Sequence, residues 1–216
     1  MFKIFLFLLL FPCLVNAKTL KIVIIDSGLD NLTGVKLCGL DANMDFTSTG
    51  TKSEFNGHGN NITHIITDGL ESYDYCIYHI KVFTAAHNTV GDTRAFAEAI
   101  LLGADIINYS AGGADSNIYE EAIISLAAAK GIKIFVAAGN EGHNLNSSCD
   151  YFPACYNTKG LVIVGNKHKT SNYGDKVTLI RNGVNVKASG TVMTGSSQAT
   201  AIATHEEALK RLKGNK

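Results

Sequence analysis

Five short, nearly uninterrupted apolar runs recur along this chain, with stretches of helical periodicity between them. They are 20–25 (LKIVII), 75–83 (YCIYHIKVF), 105–109 (DIINY), 132–137 (IKIFVA) and 161–164 (LVIV). Strands this apolar need cover on both faces, which a parallel sheet between two helical layers provides. The segments between them supply the helices. Residues 94–102 (RAFAEAILL) run into Gly103, a good helix terminator. Ile118, Ala122, Ile123, Leu126 and Ala129 form one stripe, with Asp115 or Ser116 as cap, Glu120 and Glu121 in the first turn, and Lys130-Gly131 at the end. Further helices are expected after His58 and from about residue 197 to 212. The fold class is therefore α/β, a three-layer α/β/α sandwich with a mainly parallel central sheet and right-handed crossovers.

Composition narrows the class of function. With 216 residues, 46% hydrophobic and 18% charged, the chain has the core-forming content of one ordinary domain, which excludes global disorder. Nineteen basic residues balance nineteen acidic ones, which argues against a nucleic-acid binder or a polybasic membrane-surface protein. Residues 1–17 (MFKIFLFLLLFPCLVNA) carry one lysine, an apolar stretch and small residues at the end. That pattern reads as a signal peptide cleaved after Ala17, leaving residues 18–216 as a single secreted domain, extracellular or periplasmic. No later apolar run reaches membrane-spanning length, so no membrane association is expected after cleavage. The remaining cysteines are Cys38, Cys76, Cys149 and Cys155. An even count in an exported chain suggests two disulfides; of three connectivities, 38/76 with 149/155 is the simplest, and four buried thiols are the alternative.

Polar residues stand where the apolar and helical segments begin or end. Asp26 closes the first run in IIDSG, and His58 opens a helix in NGHGNN. Asn140 follows the fourth run in VAAGNEG, and Ser197 opens the last helix in TGSSQATA. Singly, each reads as an ordinary cap or glycine turn. Together they suggest nucleophilic chemistry: a serine hydroxyl needs a base within hydrogen-bond reach, and a histidine oriented by a carboxylate provides one.

In this order the set closely resembles the subtilisin-like serine proteases, whose triad runs Asp, His, Ser along the chain. The resemblance extends over roughly residues 20–203. NYSAGG (108–113) resembles the family's substrate-binding strand, SNYG (171–174) a turn before the final motif, and FPA (152–154) a segment that commonly holds a cis proline. The resemblance implies a secreted serine endopeptidase with Asp26, His58 and Ser197 as triad. The Asn140 side chain and the Ser197 backbone N–H would form the oxyanion hole. Ser110, Ala111, Gly112 and Gly113 would offer an extended edge to a polypeptide substrate, the glycines admitting another backbone, with Ala138 and Gly139 on the opposite wall. Asp150 and Tyr151 are candidates for the pocket floor, where an acid would favour basic side chains.

No cofactor is implied for the chemistry. A structural calcium ion is compatible with the family, but no ligand set stands out. Asp41, Asn43 and Asp45 alternate like the start of a calcium loop, yet Phe46 and Lys52 stand where glycine and glutamate would be needed. His64 and His79 belong to no metal-ligand spacing, so no metal site is assigned. No G-x-G-x-x-G follows the first run, which disfavours a nucleotide-binding domain.

The chain departs from the family pattern in places. His58-Gly59-Asn60-Asn61 replaces His-Gly-Thr-His, and Gly195-Ser196-Ser197-Gln198-Ala199-Thr200-Ala201 replaces Gly-Thr-Ser-Met-Ala-Thr-Pro. The usual Ala-Pro-Gly is missing near 180–183. Only Lys18 and Thr19 separate the expected cleavage site from the first strand, where the family commonly carries a pro-segment. A separate folding chaperone or inhibitor is thus a candidate partner. The alternative reading is a catalytically weak relative acting as a peptide-binding or regulatory module. Asn31, Asn61 and Asn146 begin glycosylation sequons, and Asn108 begins a fourth that should be buried in a strand.

Overall fold

The computed structural model describes residues 18–30, 33–53, 56–84 and 91–214. The expected signal peptide at 1–17 and the sequon at Asn31 lie outside these. In chain order the elements are β1 (Leu20–Asp26), β2 (Asn43–Asp45), α1 (His58–Thr67), β3 (Tyr75–Lys81), α2 (Asp92–Leu101), β4 (Ile106–Tyr109) and α3 (Ile118–Ala129). They continue with β5 (Lys133–Ala137), β6 (Leu161–Asn166), β7 (Leu179–Arg181), β8 (Val186–Ala188), β9 (Thr191–Met193) and α4 (Ser196–Gly214). Seven strands form one sheet in the order β2-β3-β1-β4-β5-β6-β7, each neighbouring pair parallel. The strands β8 and β9 form a separate antiparallel hairpin.

The α/β/α sandwich is visible in the two parities of β1. Val23 and Ile25 pack with Phe96, Ala99, Ile124 and Ala127 from α2 and α3. Ile22 and Ile24 pack with Ile62, Ile66, Ala199 and Ala203 from α1 and α4. Both faces are covered, which is why the run does not alternate. Each such aliphatic side chain contributes about 1.5–3 kcal/mol by leaving water.

Several local expectations change. The cap of α3 is Asn117, whose side chain accepts from the amides of Tyr119 and Glu120 at 2.9 and 3.4 Å. Asn117 is extended immediately before the first helical residue, so its Oδ1 reaches the open amides; Asp115 and Ser116 stand too far upstream. Strands β2, β7, β8 and β9 have three residues each, too few to show a period of two. Asn61 is fully buried and hydrogen-bonded, so its sequon is inaccessible; Asn108 is buried as expected.

The cysteines pair as Cys38–Cys76 and Cys149–Cys155, the simplest of the open connectivities. The peptide before Pro153 is cis. Among the described residues no helix is long and apolar enough to cross a membrane. The strand β1 lies between β3 and β4, and the chain fills one side of it before crossing to the other. At such a switch point the carboxyl ends of adjacent strands open a crevice, and here those ends are β1, β4 and β5.

Candidate active site

Asp26 is the last residue of β1 and is fully buried. His58 is the first residue of α1, placed there by Gly57, whose left-handed backbone (φ 77°) turns the chain into the helix. His58 Nδ1 lies 2.7 Å from Asp26 Oδ1. The same oxygen accepts the Ser27 amide at 2.8 Å, and the Ser27 hydroxyl accepts the Gly59 amide at 3.0 Å. Strand end and helix start are thus tied through two consecutive residues. Burial alone would push the Asp26 carboxyl up; the His58 imidazole, His79 and the Ser27 N–H together outweigh it. The net result is an acid held below its ordinary value, the form that orients a histidine.

Ser197 lies in the first turn of α4 and is half-buried, whereas Ser196 beside it is fully buried. The Ser196 hydroxyl accepts the Gly139 amide at 3.2 Å, so it is a structural bond at the end of β5. The Ser197 hydroxyl donates to the Ser110 carbonyl at 2.8 Å, and the Ser110 hydroxyl donates back to the Ser197 carbonyl at 3.1 Å. Asn140 Oδ1 accepts the Ser196 amide at 2.8 Å, which leaves the amide NH2 of Asn140 as a donor beside the same turn. Ser110 is therefore joined directly to Ser197, Gly139 and Asn140 to the adjacent Ser196, and Asp26 to His58.

The helices carrying His58 and Ser197 are also bonded to each other. Gln198 Nε2 donates to Asn61 Oδ1 at 3.2 Å, and Asn61 Nδ2 donates to the Ala188 carbonyl at 3.1 Å. Both residues are departures from the family pattern, and they satisfy one another. Gly183 backs the turn before Ser197: its carbonyl accepts the Gly195 amide at 3.1 Å, and a Cβ there would meet the Gly195 carbonyl oxygen.

Asn172 escapes the sequence reading, whereas Tyr151 is a candidate for the pocket floor. Asn172, in the SNYG turn, is almost fully buried and pins the loop after β5. Its Nδ2 donates to the Ala138 carbonyl at 2.9 Å and to Glu141 at 2.7 Å, while its Oδ1 accepts the amides of Glu141 and His143. Tyr151 lies against Gly112 and Gly139, one from each expected wall. Its phenol is held far above its ordinary value by burial and the Glu141 carboxylate. Asp150, by contrast, is half exposed and lies 3.7 Å from His143, so its charge is turned to solvent rather than to a pocket floor. Gly113 pairs with Phe152 through both backbone groups, at 3.0 and 2.7 Å, and a Cβ there would meet nothing. Gly113 therefore spends both backbone groups within the chain, and the missing Cβ of Gly112 makes room for Tyr151 and the Phe152 carbonyl.

Asp45 closes a turn onto Thr47 and Thr49, and Asp41 is exposed, so these residues do not converge. Among the described residues no group of three or more His, Cys, Asp or Glu could hold a metal ion. A cavity of about 440 Å³ opens between β5–β7 and α4, lined by Phe135, Leu179, Arg181 and Glu206, and includes none of Asp26, His58 or Ser197.

Comparison with known proteins agrees with this fold. The chain is 28% identical over 207 residues to the minor extracellular protease Epr of Bacillus subtilis (strain 168), a span of 86% of this chain and 31% of that protein. It is 25% identical over 205 residues to subtilisin amylosacchariticus of Bacillus subtilis subsp. amylosacchariticus, covering 88% of this chain and 53% of that one. The chain thus spans about half or less of these relatives. A cold adapted subtilisin-like serine proteinase superposes with a TM-score of 0.71 at 22% identity, over 91% of this chain and 76% of its own. The protease domain of PatA, an S218A mutant, gives 0.70 at 20%, over 88% and 78%. The subtilase family model matches residues 17–213, and the chain belongs to the subtilase family.

Proposed function

We propose that the chain is a secreted serine endopeptidase, with Asp26, His58 and Ser197 as triad and Asn140 as oxyanion donor. The observation that carries this reading is the buried Asp26 bonded to His58 at 2.7 Å, on the same crevice as Ser197 and Asn140. The Ser197 hydroxyl first turns from the Ser110 carbonyl to His58, which takes its proton as Oγ attacks the substrate carbonyl carbon. The Ser197 N–H and the Asn140 amide hold the resulting oxyanion, favoured by the α4 N-terminus. Collapse breaks the C–N bond, and His58 returns the proton to the departing amine. Water then repeats the sequence on the acyl-enzyme and frees the serine.

The backbone of Ser110, Ala111 and Gly112 would pair with the substrate as an added strand. The two disulfides fit an oxidising compartment, which supports export by residues 1–17. Hydrolysis of an unfolded casein substrate by the purified protein, abolished in Ser197→Ala, is the expected result. An undiminished rate in that variant would refute the assignment.

A further inference from the structure

This inference rests on the endopeptidase reading and specifies its substrate. The strands β4 and β5 are neighbours whose last paired residues are Tyr109 and Val136. Beyond them, 110–112 and 138–140 continue on either side of Ser197, which bonds Ser110 on one side while Asn140 bonds the adjacent Ser196 on the other. A carbonyl carbon attacked by Ser197 must sit between these segments. The α-carbon beside it lies about 1.5 Å further on, so the side chain of the acyl residue enters the gap between 110–112 and 138–139.

That gap is filled by the protein itself. A Cβ on Gly112 would lie 2.5 Å from Tyr151 Cε1 and 2.7 Å from its Cζ. A Cβ on Gly139 would lie 3.0 Å from Tyr151 Cδ2. Cε1 and Cδ2 are opposite corners of one ring, so the ring spans from wall to wall. Both glycines are needed to admit it: Gly139 also has a left-handed backbone (φ 101°) and is crowded by Asn172 and Glu141. Tyr151 is locked from behind by the Gly113–Phe152 pairing and the Cys149–Cys155 bridge on either side of it.

We infer that Tyr151 closes the acyl side-chain pocket and restricts cleavage to polypeptides with glycine, alanine or serine at the residue donating the scissile carbonyl. A basic residue at that position, favoured if Asp150 formed the floor, would be excluded on the same ground. Tyr151 is thus a specificity-determining residue that acts by occupying space. Removing one or more methylene-sized groups from a filled pocket changes discrimination by about 10–200-fold, so the effect is measurable.

The test uses the purified chain and phosphonate probes, whose phosphorus is attacked by Ser197 with loss of the leaving group. A small alkyl fluorophosphonate without a side chain reports whether Ser197 is activated at all. Peptidyl diphenyl phosphonates with alanine, phenylalanine or lysine at the acyl position then report the pocket. The wild type should be labelled by the alanyl probe at least tenfold faster than by the other two. Tyr151→Ala should bring the phenylalanyl rate to the alanyl rate or above it, and Tyr151→Phe should leave the wild-type order unchanged. Equal labelling of the wild type by alanyl and phenylalanyl probes would overturn the closure by Tyr151, whether or not Tyr151→Ala folds. No labelling by the small fluorophosphonate would instead overturn the endopeptidase reading, and this inference with it.

Discussion

Gln198 Nε2 donates to Asn61 Oδ1 at 3.2 Å, joining the helix that begins at His58 to the helix that carries Ser197. Both side chains are buried, so losing either leaves a polar atom without water. Gln198→Met should therefore cost about 1–3 kcal/mol, the usual penalty for a stranded buried polar group. Thermal denaturation of Gln198→Met, Asn61→Ala and the double variant gives a cycle with a coupling of about 0.5–3 kcal/mol. Strict additivity would contradict the pairing.

Asn140 uses Oδ1 to hold the Ser196 amide, and in the proposed mechanism its NH2 is the oxyanion donor. Asn140→Asp preserves the acceptor and removes the donor. Peptide hydrolysis should show kcat reduced by about 10²–10³-fold with little change in KM. Equal losses in kcat and melting temperature for Asn140→Asp and Asn140→Ala would point to a structural role alone.

Glu120 is buried at the start of α3, and burial together with the hydrogen-bonded Asp92 raises its pKa from 4.5 to about 8. The folded chain therefore keeps a proton that the unfolded chain has released between those values. Its contribution to stability is full below about pH 4.5 and declines as pH rises to about 8. Glu120→Gln should remove that slope, so its melting temperature gains on the wild type steadily across the window. A constant offset between pH 5 and 8 would contradict this.

The two disulfides close loops of very different length, 38 residues for Cys38–Cys76 and 6 for Cys149–Cys155. Loop-closure entropy gives about 4 kcal/mol for the longer and about 2 kcal/mol for the shorter. Denaturant titration of the paired serine variants should rank them in that order. The 149–155 variant should in addition lose discrimination between acyl side chains, because that bridge brackets Tyr151.

Strands β1, β3, β4, β5 and β6 are legible in the sequence because both of their faces are buried, which writes them as unbroken apolar runs. The strands β2 and β7 are not, since three residues at or near a sheet edge carry no period. Asp26, His58, Asn140 and Ser197 stand at the junctions of these runs and can be found by their order. Asn172 and Tyr151 cannot be found that way. Asn172 acts through four bonds to a loop that is adjacent only in space, and a tyrosine beside an acid gives no sign of which one turns inward. There the acid drew attention in the sequence, and the ring fills the gap in the structure.

Labelling of the purified protein with an alkyl fluorophosphonate, followed by peptide mapping, tests the central claim most directly. Covalent modification confined to Ser197, lost in Ser197→Ala and reduced on the order of 10⁴-fold in Asp26→Asn, is the predicted result. A folded wild type that takes up no probe, or takes it up equally after either substitution, would contradict it.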